Sequence, residues 1–473
     1  MNSDEFEVQH LEEPEIQFEG GSSVSPRRGL FEYGPRLKNA EHHTINIGVI
    51  GDRTSVRNLK DLFSKMETFI HPDSNDDTLR PWRIPFPGTG PNSELNVSMS
   101  MRDRWTVRFR RLVSAVESED TPKDKMEFFL DKLNRDIAFL SSDDPEPDVI
   151  VVCIPEKVME ECTPDDQENA QVSEDGSDLH DRIKIQGMNH GVPTQLIKPS
   201  TLEINSERQR ASRAWNLFVG LLYKSQRGYP WKTKDLEEGA CYAGISFYRD
   251  KGADGNVVRA AMAHVYARKD YTVLQSEPMK GLKTDDNGQP HLSKSGAKQI
   301  SQRIIDYYKR RNRGRGPERL IIHKTSPFWD DERQGFLEGA PDTELHDYVH
   351  IRTRNTSMRL FPSGNYPPLR GTLISHRDAD IHYLYTTGFT PEMGTYEGSN
   401  IPEPIEIRPD KQCYSERDKL CKEILFLTKL DWNTSDFAVK EPVTLKVARK
   451  VSSVLSESVA SRTDAEKQYF YYM

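Results

Sequence analysis

Cysteine is scarce in this chain: Cys153, Cys162, Cys241, Cys413 and Cys421 are the only five in 473 residues. None forms a CxxC pair, and the odd number argues against a disulfide framework, so buried, reduced thiols are expected. No apolar run approaches the roughly 20 residues a membrane span needs. The opening segment MNSDEFEVQHLEEPEIQFEGG has neither a basic start nor an apolar core, which argues against a secretory leader. A soluble, cytoplasmic protein is expected. The glycine fingerprint of a dinucleotide site is also missing, because GVIGDR (48–53) supplies GxxG without the full pattern.

What is present is an alternation of apolar strands and amphipathic helices. TINIGVIG (44–51) and DVIVVCIP (148–155) read as buried strands, with VRNLKDLFSKMETFI and MEFFLDKLNRDIAFL as helices beside them. That order predicts an α/β fold, with a parallel sheet covered on both faces. The second half carries longer β segments: CYAGISFYRD, VVRAAMAHVYAR, ERLIIHK, DYVHIRTR, GTLISHR and DIHYLYTTG. The length suits two or three domains, and two is the count expected.

Charge is segregated. The net charge of −9 owes much to residues 1–20 and 160–181, whereas basic residues gather at 102–111, 208–213 and 309–319. Such local fields can bind phosphates despite the overall sign. The third cluster also reads simply as a helix C-terminus, where Lys and Arg are favoured.

Four residues on two separated segments carry the most information: His180 and Lys184 in HDRIK, Gln195 in HGVPTQ, and Lys224 in LFVGLLYKSQRGYPW. A helix places His180 and Lys184 on one face. The ring can stack on a base, the lysines supply compact positive charge, and the amide donates to phosphate oxygens. The set suits a nucleotide with a 5′ phosphate.

Their order and spacing resemble the guide-anchoring pocket in the MID domain of Argonaute proteins. The resemblance extends over roughly residues 40–473, through GVPTQLI, RAWNLFVGLLYKSQRGYPW and ACYAGISFYRD in turn. It implies a short prokaryotic Argonaute without N-terminal or PAZ domains. The implied division is an acidic arm at 1–40 for partner contact, a Rossmann-like MID domain at 41–205 and an RNase H-like PIWI domain at 206–473.

A slicing PIWI domain needs four ligands, typically three acids plus Asp or His, to hold two divalent ions. Ser246 stands where the resemblance places the first catalytic Asp, and Lys324 where it places the second. An ammonium there puts positive charge where a cation would sit. Asp250, Asp254, Asp330, Asp331 and Glu332 read as turn and helix-start acids. No enzymatic activity is expected of the chain itself.

The terminus EKQYFYYM is aromatic, which suggests burial. By resemblance, the Met473 carboxylate would help hold a structural Mg2+ against guide phosphates, with Asn216 as a further candidate ligand. The resemblance also implies the output: a guide, with RNA favoured, pairs with invading DNA and switches on an APAZ-domain effector in a heterodimer. A sirtuin-like NADase is favoured over a TIR type, depleting NAD in antiviral or anti-plasmid abortive infection. Phe6, Leu11, Ile16 and Phe18 offer that partner an apolar strip among glutamates. The alternatives are an autonomous guide-directed nuclease and a generic nucleic-acid-binding module.

Overall fold

A computed structural model describes residues 5–38, 42–72, 84–162, 177–202, 210–233, 236–249, 258–266, 271–275, 282–285, 288–356, 358–364, 367–394, 396, 400–457 and 467–473. Asp250 and Asp254 lie outside the described residues.

The first half is built on four parallel strands in the spatial order Val97–Arg108, His43–Gly51, Val149–Cys153 and Thr194–Ile197. All five residues of Val149–Cys153 are buried, as a central strand covered on both faces requires. Ile47, Val49 and Val151 feed one apolar cluster, while Ile50, Ile150 and Val152 feed another on the opposite face. The GVIGDR motif is a strand end followed by a helix start. Asp52 accepts hydrogen bonds from the Thr54 and Ser55 backbone N–H groups and so caps the helix Arg53–Met66.

The second half is organised by a ten-stranded mixed sheet. Its order is Phe6–His10, Thr372–His376, Ile381–Leu384, Ile405–Pro409, Leu345–Arg352, Arg319–Lys324, Ala240–Arg249, Val258–Tyr266, Tyr271–Gln275 and Lys467–Gln468. Arg319–Lys324 runs parallel to both of its neighbours. The helix Val443–Ser456 lies directly on this sheet. A Cβ added at Gly244 would meet the Thr444 carbonyl oxygen at 2.2 Å, so only glycine lets helix and strand approach this closely.

The N-terminal segment corrects one expectation. Phe6–His10 pairs antiparallel with Thr372–His376 and forms one edge of the large sheet. Leu11, Ile16 and Phe18 are 2%, 0% and 1% exposed within the chain's own core, so they are not free to meet a partner. A buried Glu13 fixes the segment, receiving Arg370 at 2.8 Å and Lys429 at 2.5 Å. Alternating glutamates disguised an edge strand as a solvated arm.

The two halves share one core. Ile45, Val151 and Trp215 belong to the same apolar cluster as Tyr242, Val447, Val451 and Met473. Tyr229 stacks on Trp432 within it, with centroids 4.4 Å apart.

Candidate functional site

The helix Ser177–Asn189 and the strand Thr194–Ile197 bring His180, Lys184 and Gln195 towards the end of the helix Arg210–Gln226, which carries Lys224 in its last turn. Lys224 Nζ donates to Gln195 Oε1 at 2.5 Å, and Gln195 Nε2 donates to the Leu196 carbonyl at 3.0 Å. Gly220, one turn before Lys224, has no side chain, and a Cβ there would come within 3.9 Å of Gln195 Oε1 and 4.0 Å of Asn433 Oδ1.

A fifth residue completes the group. Lys450, on the helix Val443–Ser456, reaches across from the large sheet and places Nζ 2.6 Å from Asp181 Oδ1 and 3.5 Å from His180 Nδ1. Asp181 is wholly buried and also accepts a hydrogen bond from the Ser453 hydroxyl. Sequence spacing gave no sign of Lys450, which lies 270 positions from His180. The basic residues of the amphipathic helix lying on the large sheet were the available signal.

The electrostatics follow from burial. Desolvation lowers the Lys224 pKa to about 7, and the Lys450 charge adds to the effect. Lys184, also buried, is driven well below the ordinary lysine range by desolvation and then by Lys224 and Lys450. Desolvation brings the His180 pKa to about 4, so its ring is neutral at pH 7 and suited to stacking. Asp181 falls to about 2 despite burial, because hydrogen bonds and the Lys450 charge favour its ionised form. Three lysines thus converge on a region where Asp181 acts on Lys184 and Lys450, and Lys224 meets the neutral Gln195 amide. That arrangement favours an anion with several acceptor oxygens.

The carbonyl oxygen of Asn216 is already engaged. Oδ1 accepts from the Ser435 backbone N–H at 2.9 Å, the Ser435 hydroxyl at 2.6 Å and the Thr434 hydroxyl at 3.3 Å. Those three donors occupy the atom a metal would need, which corrects its candidacy as a ligand. Asn216 instead ties down the 431–436 loop. Met473 is buried at the end of a terminal turn that packs on the helices carrying Lys184 and Lys224. Tyr471 donates its hydroxyl proton to the Gly191 carbonyl at 2.7 Å. Among the described residues, no group of three or more His, Cys, Asp or Glu could hold a metal ion. Of the expected protein donors, only the Met473 carboxylate therefore remains for magnesium.

Ser246 and Lys324 lie on adjacent strands, since Lys324 is paired with Ile245. Lys324 is completely buried and donates to Glu332 Oε1 at 2.5 Å and Oε2 at 2.6 Å. Glu332 also accepts the backbone N–H groups of Leu292 and Trp329, both at 2.8 Å. Asp330, Asp331 and Glu332 open the helix Asp330–Gly339, in keeping with a helix-start reading. Glu332 does more than that: it is an internal counter-charge for Lys324.

No protein-family model matches the sequence, and no curated protein matches it. Solved structures do. Clostridium butyricum Argonaute, bound to a guide DNA and a 19-mer target DNA, superposes with a TM-score of 0.67 at 13% identity, over 97% of this chain and 54% of that one. The Aa-Ago structure with externally bound siRNA gives 0.61 at 16% identity, covering 98% and 56%. Drosophila Piwi gives 0.60 at 14%, covering 98% and 56%. The chain thus has the mixed α/β fold of the MID–PIWI part of Argonaute and Piwi proteins, and it spans little more than half their length. Among the described residues, no helix is long and apolar enough to cross a membrane.

Proposed function

We propose that the chain is the guide-binding, target-recognising subunit of a prokaryotic defence system of the short Argonaute type. The observation that carries this reading is the convergence of Lys184, Lys224 and Lys450 around Gln195 and His180, with one buried carboxylate among them. A 5′ phosphate supplies the missing negative charge and the acceptor oxygens, while the neutral His180 ring stacks on the first base. Sequence is then read by pairing between guide and target, with the protein gripping the backbone. RNA is the favoured guide and DNA the favoured target.

The chain itself is proposed not to cut. Lys324 and Glu332 neutralise one another where the resemblance places a metal-binding acid, and Ser246 offers no carboxylate. Output then belongs to an APAZ-domain effector bound as a heterodimer in the cytoplasm, with a sirtuin-like NADase favoured over a TIR type. Magnesium belongs to the reading at the Met473 carboxylate, with the guide phosphates as its further ligands.

Competition between 5′-phosphorylated and 5′-hydroxyl strands of one sequence tests the anchor. The phosphorylated strand is expected to win by at least tenfold. Equal affinity would reduce the chain to a generic nucleic-acid binder. Cleavage of a complementary target in magnesium or manganese, opposite the guide centre, would make it a nuclease instead.

A further inference from the structure

Two of the three basic clusters in the sequence expose several arginines: Arg310, Arg311, Arg313 and Arg315 in the 309–319 run, and five in the 102–111 run. In the 309–319 run, Arg319 is buried, bonded to Asp347 at 2.7 Å and to Glu423 at 2.5 and 2.9 Å. Lys309 pairs with Asp342, and Arg310 and Arg311 lie against the Tyr307 ring. In the 208–213 run, residues 208–209 lie outside the described residues, and Arg210 and Arg213 stand in the first turn of the helix Arg210–Gln226.

The 102–111 run is different. Arg102, Arg104, Arg108, Arg110 and Arg111 are all exposed. They lie on Val97–Arg108, the edge strand of the four-stranded sheet, and on the turn that follows it. Pairing with the neighbouring strand slips here: Ile47 faces Met101 while Val49 faces Thr106, so residues 102–105 stand opposite Gly48 alone. This bulge turns Trp105 fully into the core and leaves arginines standing out on either side of it. The guanidiniums of Arg102 and Arg104 lie 4.8 and 4.9 Å from the Trp105 ring centroid. The electron-rich ring face orients both forks without neutralising them. Among the described residues, Arg102, Arg110 and Arg111 form no ion pair, and Arg104 and Arg108 meet carboxylates only at 3.6 and 4.0 Å. Asp103, the acid inside the run, is engaged by Lys60 at 3.1 Å.

We propose that this arginine edge binds the phosphodiester backbone of the nucleic-acid strand whose 5′ phosphate enters the lysine pocket, several nucleotides from that end. The inference rests on the pocket reading above. Separate, weakly paired guanidiniums along an extended strand suit a repeating anion, because each fork can donate two N–H groups to one phosphate. Trp105 is buried and no aromatic ring of the run is offered to a base, so the contact reads backbone and not sequence. The pocket residue Gln195 stands on one edge strand of this sheet and the arginines on the other. Three strand spacings separate them, about 14 Å, or about four phosphate steps along a helical strand.

The test is the triple variant Arg102→Gln/Arg110→Gln/Arg111→Gln in the full chain, with thermal melting as a check of folding. Binding of a long 5′-phosphorylated single strand is measured across salt concentration, beside a 5′-phosphorylated dinucleotide. The long strand's log–log salt slope is expected to become shallower by about 0.7 per lost contact, about 2 in all. The dinucleotide should bind as it does to the native chain. The matching Arg→Lys triple variant should recover most of the slope, since charge and not fork geometry governs it. An unchanged slope overturns the proposal, and is also the outcome expected if the edge serves an acidic protein. Equal weakening of the dinucleotide overturns it too, by showing damage to the pocket. Should the native chain fail to bind the dinucleotide, the pocket reading falls, while the long-strand slope still decides this one.

Discussion

Buried lysines in this molecule are accommodated in two opposite ways. Lys324 sits against a carboxylate of its own chain, and that carboxylate is saturated by two further backbone N–H groups. Asp181 is engaged by the half-buried Lys450 at 2.6 Å and acts on the buried Lys184, while among the described residues the buried Lys224 has only the neutral Gln195 amide as a partner. A paired buried cation is an internal feature of the fold. Buried cations with too few internal partners keep the capacity to respond to a ligand, because an incoming anion relieves a cost that folding left standing. On the proposed reading, the same residue type marks a closed site in one half and a receptive one in the junction between the halves.

The largest expected effect separates these two environments. Glu332→Ala leaves Lys324 buried without its partner and should cost about 3–5 kcal/mol in denaturant unfolding, as the loss of one member of a buried pair does. Lys184→Met removes an under-neutralised cation and should leave the ligand-free protein as stable as before, or more so. If Lys184→Met destabilised the chain as much as Glu332→Ala, the distinction between the two sites would fail.

Next in size is loading. Lys184→Ala or Lys224→Ala should weaken binding of a 5′-phosphorylated guide by about 1.5–3 kcal/mol, the worth of a charge-assisted hydrogen bond. The loss should shrink for a 5′-hydroxyl guide, and direct titration of both guides checks it. Equal losses would remove these lysines from the anchor.

A pH dependence of moderate size follows from Lys224. Its folded pKa of about 7 lies below the ordinary 10.5, so between those values the unfolded chain binds more protons than the folded one. Stability of the ligand-free protein should consequently rise with pH across that window as far as this group contributes. Phosphate affinity should run the other way, falling as pH climbs above 7, because the anion selects the ammonium form. Calorimetric titration at pH 7 and pH 9 tests this, and tighter binding at the higher pH would contradict the proposed role.

The smallest expected effect concerns the C-terminus. Chelation with EDTA, or a short extension after Met473, should weaken guide binding by no more than about tenfold, or ~1.4 kcal/mol. A normal affinity under both treatments would leave the buried terminal aromatics as core packing and remove magnesium from the account.

Much of this arrangement was legible in the chain because it is local. The buried strands at 44–51 and 148–155 announce themselves as apolar runs, and the structure has strands at His43–Gly51 and Val149–Cys153. His180, Lys184, Gln195 and Lys224 fall within 45 positions, so helix periodicity and one turn were enough to suggest a common pocket. Lys450 and the Glu332 partner of Lys324 were not legible as site members, because tertiary packing and not spacing brings them in. Val97–Arg108 was hidden for another reason. Its five exposed or partly exposed charged and polar side chains around the bulge mask the alternation that marks a strand, and the run reads as a basic cluster. Phe6–His10 was masked in the same way by acids.

Lysine titration compares the two buried sites most directly. With side-chain resonances of Lys224 and Lys324 followed by NMR, the free protein should show Lys224 titrating near 7 and Lys324 near 8. Adding a 5′-phosphorylated dinucleotide should raise the Lys224 value by at least one unit, since a bound anion favours the charged form, and leave Lys324 where it was. A Lys224 titration unmoved by the phosphate, or a shift of equal size at Lys324, would contradict the claim that the junction between the two halves holds the anion site.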